Sequence, residues 1–412
     1  MALAPLVDEV LGGDVPVAVE AYDGSRAGPD DARTTLHVRS PAALHRIITA
    51  PGELGLARAY VAGDLDVDGE IWDLLALRDR IPEVRLEPRF VRRLVGELGG
   101  VRQVRLLPPP PEEARLRGRR HSRARDAAAI SHHYDVSNAF YRMVLGPSLT
   151  YSCAVFRDPA DTLEQAQANK YELICRKLAL EPGMRLLDVG CGWGGMALHA
   201  AEHHGVRAVG ITISKRQAEL AEKRAVEAGM SEHVEIRLQD YRAVEDGPYD
   251  AISSIGMFEH VGEARLEEYF GRLRSLLAPG GRLLNHGISR PPGEKPRLPP
   301  RSFINRYVFP DGELHEVGRV VSITQQSGFE VRHLESLREH YAMTLRRWVA
   351  NLEANWDAAV REAGEGRARV WRLYMAGSAV NFGAGRTQIH QVLATPTTDD
   401  GRSGMPLRPV FE

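Results

Sequence analysis

The segment Met184–Gly195, MRLLDVGCGWGG, places an acidic residue and a run of glycines directly after an apolar strand. In such a strand–turn–helix unit, glycines let the backbone approach a ligand, and the following helix offers free N–H groups and a positive dipole end. The GxGxxG spacing of Gly190, Gly192 and Gly195 matches nucleotide-binding turns, although this match is weak by itself. The pattern indicates a site for a nucleotide-like cofactor, with a simple tight turn as the alternative.

Two further segments extend this pattern. A second strand, Ala208–Ile213 (AVGITI), follows the first, and a third, Val234–Tyr241 (VEIRLQDY), carries Asp240 near its end. Together with Asp188 before the first glycine, these segments resemble S-adenosylmethionine-dependent methyltransferases. The resemblance implies that the first loop holds the methionine end of the cofactor, the second strand tip holds ribose, and the acidic residue after the third strand holds adenine.

The resemblance also implies a set of cofactor contacts, with one departure from the family pattern. Many members carry an acidic residue at the second strand tip, whereas this chain has Gly210–Ser214 there. Ribose contacts would therefore fall to Thr212 and Gln217. The full set implied is Tyr151, Ser152, Asp188, Gly190, Gly192, Thr212, Ile213, Gln217, Gln239, Asp240 and Tyr241.

Motifs outside the cofactor loop point to the methyl acceptor. They are Ser131–Asn138, Phe140–Tyr141, Leu149–Val155, Met257–Gly262, Leu284–Ser289, Phe303–Gly312 and Tyr341–Trp348. Taken in order along nearly the whole chain, these motifs resemble the cyclopropane-fatty-acid synthase family, which methylates cis double bonds in acyl chains of membrane phospholipids. The N-terminal segment 52–66 (GELGLARAYVAGDLD) is similar to that family's small lipid-associated domain.

An alkene is a poor nucleophile, so its methylation requires close alignment with the sulfonium methyl group in a dry, apolar pocket. Methyl transfer leaves a carbocation, and a base must then remove a proton. The resemblance implies a bicarbonate ion as that base, since a small bound anion can accept a proton and stabilise a cation. The residues implied to hold it are Cys153, Glu259, His286, Ile288 and Tyr341. Each alone has an ordinary structural explanation, and the joint occurrence carries the prediction.

Two products are compatible with this site. One branch of the family closes a cyclopropane ring, and the other leaves a 10-methylene group, the precursor of 10-methylstearate (tuberculostearate). The segments YVFPDGEL, HYAMTLRRW and Tyr374–Val380 are more similar to the second, actinobacterial branch. That product would need a partner flavin or NADPH oxidoreductase, because this chain has no second nucleotide fingerprint. A small-molecule methyltransferase remains the alternative enzyme class.

The elements that must position these residues follow from periodicity and composition. Alternating strands and helices from Met184 to about Ser289 predict an α/β, Rossmann-like, doubly wound sheet. A smaller N-terminal α+β domain is predicted before it. The predicted organisation is an N-terminal lipid-associated or oligomerisation domain at 1–107, a Pro/Arg-rich linker at 108–126 and a catalytic domain at 127–412.

Composition narrows the setting further. The formal net charge is −2, yet Glu112–Asp126 contains six arginines, which suits either a solvated linker or a patch that meets anionic lipid. No recognisable nucleic-acid module accompanies it. The three cysteines lack CxxC spacing, which argues against a disulfide framework and predicts no metal site. With no signal peptide and no long apolar run, the expectation is a cytoplasmic homo-oligomer, a dimer or higher, associated peripherally with the inner membrane face.

Overall fold

Short apolar strands separated by helices form the larger sheet of the molecule, as the sequence pattern predicts. The computed structural model describes residues 2–11, 15–77, 88–114, 125, 136–293, 297–396, 398 and 400–411. These residues divide into two compact units, which are described separately below. The predicted linker between 115 and 126, apart from Arg125, and the motif residue Tyr134 lie outside the described residues.

The sheet of the larger unit has the order β11-β12-β9-β8-β5-β6-β7, and β10 pairs with β9. Neighbours from β9 to β7 run parallel, whereas β12 is antiparallel to both β9 and β11. This is a Rossmann-like doubly wound sheet with an antiparallel extension, so the predicted fold class is confirmed. The strands are β5 (Arg185–Val189), β6 (Arg207–Thr212), β7 (Val234–Leu238), β8 (Tyr249–Ile255), β9 (Leu277–Arg290), β10 (His315–Glu316), β11 (Phe329–Ser336) and β12 (Gln388–Pro396).

Helices cover both faces of this sheet and bury two apolar clusters against it. The best-defined start is that of α7, where Thr162 and Gln165 form a capping box that satisfies the first free N–H groups. The helices introduced with this sheet are α6 (Asn138–Leu145), α7 (Leu163–Leu178), α8 (Gly195–His204), α9 (Lys215–Glu227), α10 (Leu266–Ser275), α11 (Val317–Gln326) and α12 (Arg338–Ala354). Two later helices, α13 (Trp356–Ala363) and α14 (Glu365–Gly383), fall almost entirely in the smaller unit.

The smaller unit is built on a four-stranded mixed sheet of order β2-β1-β3-β4. Alternating burial along β3 turns every second side chain into the apolar core, as expected of a half-buried strand. Its N-terminal elements are α1 (Leu3–Leu11), β1 (Val17–Ala21), β2 (Arg26–Ala27), β3 (Thr34–Val38), α2 (Pro41–Thr49), α3 (Glu53–Val61), β4 (Leu65–Asp68), α4 (Ile71–Ala76) and α5 (Pro88–Glu97).

The smaller unit also contains residues far along the chain. It combines 1–115 with 299–310 and 352–380, whereas the sequence pattern predicted one continuous N-terminal range ending at 107. Polar contacts link these ranges: Arg369 forms an ion pair with Asp66 at 2.9 Å, and the Phe303 amide donates to Glu53 at 3.2 Å. Such long-range contacts leave no periodic signal in the sequence. The assignment of lipid association to this region stays a prediction.

One helical prediction needs correction. The spacing of apolar residues over Tyr341–Ala363 predicts one amphipathic helix. In the structure, α12 ends at Ala354 and α13 begins at Trp356. Asn355 between them leaves the helical conformation, with φ of −114° and ψ of 22°. Among the described residues, no helix is both long enough and apolar enough to cross a membrane.

Candidate active site

A cavity of about 170 Å³ opens at the carboxyl ends of β5, β6 and β7. The ends of parallel strands meet at one edge of the sheet, which is where α/β proteins bind ligands. All eleven residues predicted to contact the cofactor line this cavity: Tyr151, Ser152, Asp188, Gly190, Gly192, Thr212, Ile213, Gln217, Gln239, Asp240 and Tyr241.

The glycine loop lies along one wall of the cavity in a conformation that side chains resist. Gly190, Gly192 and Gly194 have φ angles of +77°, +55° and +78°, in the left-handed region where a β-carbon is strained. Gly195 is required for a different reason, since a β-carbon there would lie 2.2 Å from the Tyr171 hydroxyl. Two hydrogen bonds fix the loop to β6, since the amides of Gly190 and Cys191 both donate to the carbonyl of Ile211.

Two buried, oppositely charged side chains lie beneath this loop. Asp188 accepts a hydrogen bond from Ser253 at 2.7 Å, and burial raises the pKa of its carboxyl to about 6. Burial lowers the pKa of Lys170 to about 7, and its ammonium donates to Ser152 Oγ at 3.2 Å. The attraction between Asp188 and Lys170 opposes both shifts. Lys170 can therefore place an ammonium group in the wall of the cavity, and its attraction to Asp188 favours that charged form.

Lys170 was not predicted as a site residue. Its position in α7 carried a signal, because the buried residues Ala166 and Ile174 stand four positions before and after it. A lysine on the buried face of an amphipathic helix is unusual unless it has a partner. Helical periodicity could therefore have identified it.

The residues predicted near ribose and adenine are already held in place by local contacts. Thr212 donates to Gln217 at 2.9 Å across the turn that starts α9. Asp240 accepts from the backbone amide and from Nε of Arg242, at 2.9 and 2.8 Å. The Tyr241 ring packs edge-on against Tyr269, with centroids 4.9 Å apart. These contacts orient the polar groups before any ligand arrives.

Among the residues predicted to be catalytic, Glu259 and Ile288 make a direct contact. Glu259 lies on a single helical turn after β8, and its Oε1 accepts from the amide of Ile288 at 2.7 Å. The other carboxyl oxygen, Oε2, is buried and has no hydrogen-bond partner. Burial raises the pKa of this carboxyl to about 7. It can therefore exchange a proton near neutral pH.

His286 lies two residues before Ile288 on β9, on the same face of the strand. The Lys177 ammonium can only donate, and it donates to Gln391 Oε1 at 2.7 Å. The Gln391 amide nitrogen therefore faces His286 Nδ1, at 3.1 Å, and donates to it. Burial holds the pKa of His286 well below its usual value, so the ring is neutral and carries its proton on Nε2. That Nε2 is buried and unpartnered.

Hydrogen bonds to the backbone connect the remaining pair, Cys153 and Tyr341, to the strands that carry Ile288 and Ile389. The Cys153 thiol donates to the carbonyl of Leu337 at 3.6 Å, and the Tyr341 amide donates to the same carbonyl at 3.1 Å. The Leu337 amide in turn donates to Ile389, which is paired with Ile288 across β12 and β9. Burial raises the pKa of the Cys153 thiol, which therefore stays protonated.

A row of aromatic rings leads from the cofactor cavity to Tyr341. Trp193 and Tyr151 line the cavity, and successive ring centroids along the row are 4.6–6.2 Å apart. Trp348 and Phe382 were not predicted to belong to the site. In order, the rings are Trp193, Tyr141, Tyr151, Trp348, Tyr341 and Phe382. The row presents π faces, which attract a cation, beside a cavity suited to a sulfonium cofactor.

The predicted catalytic residues do not themselves line the cavity in the part of the chain that the structure describes. Their chain neighbours do: Ser152 precedes Cys153, and Met257 lies two residues before Glu259. The structure therefore places the predicted cofactor residues in the wall of the cavity, and Cys153 and Glu259 next to that wall along the chain. Gly287 permits Phe258 and Glu259 to pack closely against β9, because a β-carbon at Gly287 would lie 1.9 Å from the Phe258 ring.

Relatives of known name match this chain over most of its length. A probable fatty acid methyltransferase of Mycobacterium tuberculosis is 50% identical over 97% of this chain and 96% of its own. The cyclopropane-fatty-acyl-phospholipid synthase of Escherichia coli is 33% identical over 92% of both chains. A tuberculostearic acid methyltransferase of M. tuberculosis is also 33% identical, over 92% of this chain and 87% of its own.

Solved structures agree with the fold. A mycolic acid cyclopropane synthase complexed with SAH and CTAB is 35% identical, with a TM-score of 0.61, and the match covers 65% of this chain and 97% of that one. The model of the family described as mycolic acid cyclopropane synthetase matches residues 121–392. This chain therefore belongs to that cyclopropane synthase family of S-adenosylmethionine-dependent methyltransferases, as its motifs predict.

Proposed function

We propose that this enzyme transfers a methyl group from S-adenosylmethionine to the cis double bond of an oleoyl phospholipid and forms a 10-methylene acyl chain. The observation that carries the proposal is the row of aromatic rings that begins in the cavity at Trp193 and Tyr151 and reaches Tyr341. Aromatic faces stabilise a cation without attacking it. This suits a carbocation better than it suits the amine or hydroxyl acceptor of a small-molecule methyltransferase.

The cofactor would be held by the eleven cavity residues and by Lys170. The positive charge of Lys170 suits the carboxylate of the methionine end, while Asp188 suits its ammonium. Thr212 and Gln217 would bind ribose hydroxyls. Asp240 and Tyr241 would contact adenine, the first by accepting a hydrogen bond and the second by stacking.

The catalytic residues also fit a small anion such as bicarbonate, which would act as the proton acceptor when bound. The fit rests on two buried atoms without partners, Glu259 Oε2 and His286 Nε2. The His286 Nε2–H is a donor, and a protonated Glu259 would be another, since burial raises its pKa to about 7. Leaving such groups unpaired costs free energy, and an anion that accepts from both would remove that cost.

In the proposed reaction, one methyl group moves from sulfur to carbon, one hydride shifts and one proton leaves. The alkene π electrons form a bond to the cofactor methyl carbon at C10, and the carbon–sulfur bond breaks to leave S-adenosylhomocysteine. The cation at C9 takes a hydride from C10, and the new methyl group then loses a proton to give the 10-methylene group. Glu259 and His286 would hold the small anion that accepts this proton, and the aromatic row would exclude water from the cation.

The lipid substrate is supported by the names of the relatives. The E. coli relative is a cyclopropane-fatty-acyl-phospholipid synthase, and another is a tuberculostearic acid methyltransferase. Because both are 33% identical to this chain, identity alone does not separate ring closure from the methylene product. We favour the methylene product because of the segments shared with the actinobacterial branch. A separate flavin or NADPH oxidoreductase would then reduce the methylene group.

The lipid setting is part of the same proposal. An acyl chain within a bilayer must be drawn into the enzyme, so the protein would bind the inner face of the membrane peripherally as a dimer or higher homo-oligomer. Flotation with oleoyl phosphatidylglycerol vesicles at low and high salt tests membrane binding. Binding that is absent at both salt concentrations would contradict it.

The direct test is mass spectrometry of fatty acids after incubation with oleoyl phospholipid vesicles, S-adenosylmethionine and bicarbonate. We expect one added carbon as a methylene group at C10. A cyclopropane product would assign the other branch, and methylation only of a small molecule or headgroup would contradict the proposal. Formation of a saturated 10-methyl chain by the purified protein with NADPH would overturn the need for a partner reductase.

A further inference from the structure

Four potential metal ligands lie together where α7 packs against α8, away from the residues assigned to methyl transfer. Cys175 Sγ and one ring nitrogen each of His199 and His204 lie within 4.8 Å of one another. Glu172, one turn before Cys175 on α7, brings its Oε2 to 3.0 Å from His204 Nε2 and 3.7 Å from His199 Nε2. The thiol and the two imidazoles therefore lie around one point, and the Glu172 carboxylate adjoins the two imidazoles.

The cluster is not satisfied by its internal contacts. His199 Nε2 is buried and has no hydrogen-bond partner, and its 3.7 Å distance from Glu172 is too long for a hydrogen bond. Arg176 donates to the other carboxyl oxygen of Glu172, Oε1, at 2.7 Å, which directs Oε2 towards the two histidines. A buried nitrogen without a partner is costly unless something absent from the protein chain binds it.

The donor set selects the ion. Zn²⁺ prefers four ligands in a tetrahedron, with sulfur and nitrogen donors about 2.0–2.3 Å from the metal. The ligand atoms of Cys175, His199 and His204 already lie within 4.8 Å of one another and need small inward movements to reach that geometry, which Glu172 would complete as the fourth ligand. Mixed thiolate, imidazole and carboxylate donors suit Zn²⁺ better than Mg²⁺ or Ca²⁺, which prefer oxygen ligands.

We propose that Glu172, Cys175, His199 and His204 bind one Zn²⁺ ion, with the thiol proton of Cys175 released to solvent on binding. Four protein ligands leave no open position, which is typical of a structural rather than a catalytic ion. Entry from solvent is open, because the side chains of His204 and Glu172 are 18% and 25% exposed.

This site would act on the helix that borders the cofactor cavity. Helix α8 starts at Gly195, directly after the glycine loop, and carries both histidines. An ion that joins α8 to α7 would hold the middle and the C-terminal end of α8 against the Lys170-bearing helix. The sequence pattern predicted no metal site because it contains no CxxC motif, yet ligands spaced Glu-x-x-Cys and His-x₄-His on two helices meet only after folding.

The test measures metal binding by the full chain without reference to methyl transfer. Chelator-treated protein is titrated with Zn²⁺ alone in competition with a chromogenic chelator, and Co²⁺ is used as a spectroscopic substitute. We expect one Zn²⁺ per chain and a thiolate-to-cobalt charge-transfer band that Cys175→Ala removes. His204→Gln should weaken binding by at least about 100-fold, since loss of residues merely behind metal ligands already costs about 10–100-fold.

The matched control is His203→Gln, because His203 is adjacent in the chain, 53% exposed and outside the proposed ligand set. Its zinc affinity should equal that of the unchanged protein. Absence of stoichiometric Zn²⁺ binding, a wild-type cobalt spectrum without the thiolate band, or equal weakening by His203→Gln and His204→Gln would each overturn the proposal. If Cys175→Ala does not fold, the part-exposed His204 variant still decides the outcome.

Discussion

The cavity lined by the predicted cofactor residues and the cluster of residues predicted to be catalytic are built in opposite ways. The cavity wall comes from consecutive strand ends between Asp188 and Tyr241, each followed by a short loop. The catalytic cluster joins Cys153, Glu259, Ile288 and Tyr341, which are spread over almost 190 positions of the chain. The first depends on local turns in a parallel sheet, and the second depends on pairing between β9 and β12.

The difference predicts that the two regions can be disabled separately. Cofactor binding should survive changes in the cluster, because the glycine loop and strand ends make their own contacts. Chemistry should fail without loss of the cofactor when the buried carboxyl or the aromatic row is altered. Variants that affect both properties together would show that the regions form one cooperative site.

The largest effect is expected for Glu259→Gln. The amide keeps the size and an oxygen for the Ile288 amide, but it cannot exchange a proton. We expect methyl transfer to fall by at least about 100-fold, within the range of lost acid–base catalysis. Calorimetric binding of S-adenosylmethionine should be unchanged. Glu267→Gln, at an exposed position of α10, is the control, and equal activity of both variants would contradict the role of Glu259.

The same carboxyl should make stability depend on pH. Its pKa is about 7 in the folded protein and about 4.5 when unfolded, so the folded state holds the proton more tightly. Stability therefore falls as pH rises from about 4.5 to 7 and levels off above that. Relative to Glu259→Gln, the unchanged protein should lose up to about 3 kcal/mol across this window. Guanidinium unfolding of both proteins at pH 5 and pH 8 measures the difference, and parallel losses would contradict it.

A smaller effect, confined to the cavity, is expected for Lys170→Met. Removal of the buried ammonium takes away the positive charge beside Ser152 and leaves Asp188 without it. The KM for S-adenosylmethionine should rise about tenfold or more, as expected for hydrogen bonds to charged groups, with a lesser change in kcat. Lys223→Met, at an exposed position of α9, is the control. A lower kcat at constant KM would instead mean that Lys170 acts in the chemical step and not in cofactor binding.

The smallest effect is expected in the aromatic row. Trp348→Leu keeps an apolar side chain but removes the π face between Tyr151 and Tyr341. Methyl transfer should slow by roughly three- to thirtyfold, the value of one cation–π contact. Trp348→Phe should recover most of the rate at unchanged cofactor affinity. Equal rates for the two variants would mean that the ring contributes only volume.

The same contrast explains how much of the molecule could be predicted from its sequence. The doubly wound sheet and the wall of the cavity follow from strand periodicity and from glycines at fixed spacing, which are local signals. The cluster was predicted through family resemblance, and its geometry was beyond reach. Nothing in the residue order indicates that Gln391 fixes the tautomer of His286, or that Leu337 joins Cys153 to Tyr341.

Other features could not be predicted from the sequence, because their signals are weak or because the contacts form only on folding. Lys170 stands on a buried helix face, which periodicity reveals only if polar residues are examined as carefully as apolar ones. The joining of 352–380 to the N-terminal sheet depends on ion pairs such as Arg369–Asp66. The contact between α7 and α8 that assembles Cys175 with two histidines is equally non-local.

The central claim is methylation of an alkene carbon through a cation, and the most direct test uses cofactor with a trideuterated methyl group. Methylation of an oleoyl phospholipid by this route must release one deuteron, so the product acyl chain should retain two deuterium atoms, in a methylene group at C10. Retention of all three deuterium atoms in an intact methyl group, on any acceptor, would contradict the claim. That result would make this enzyme a conventional methyltransferase.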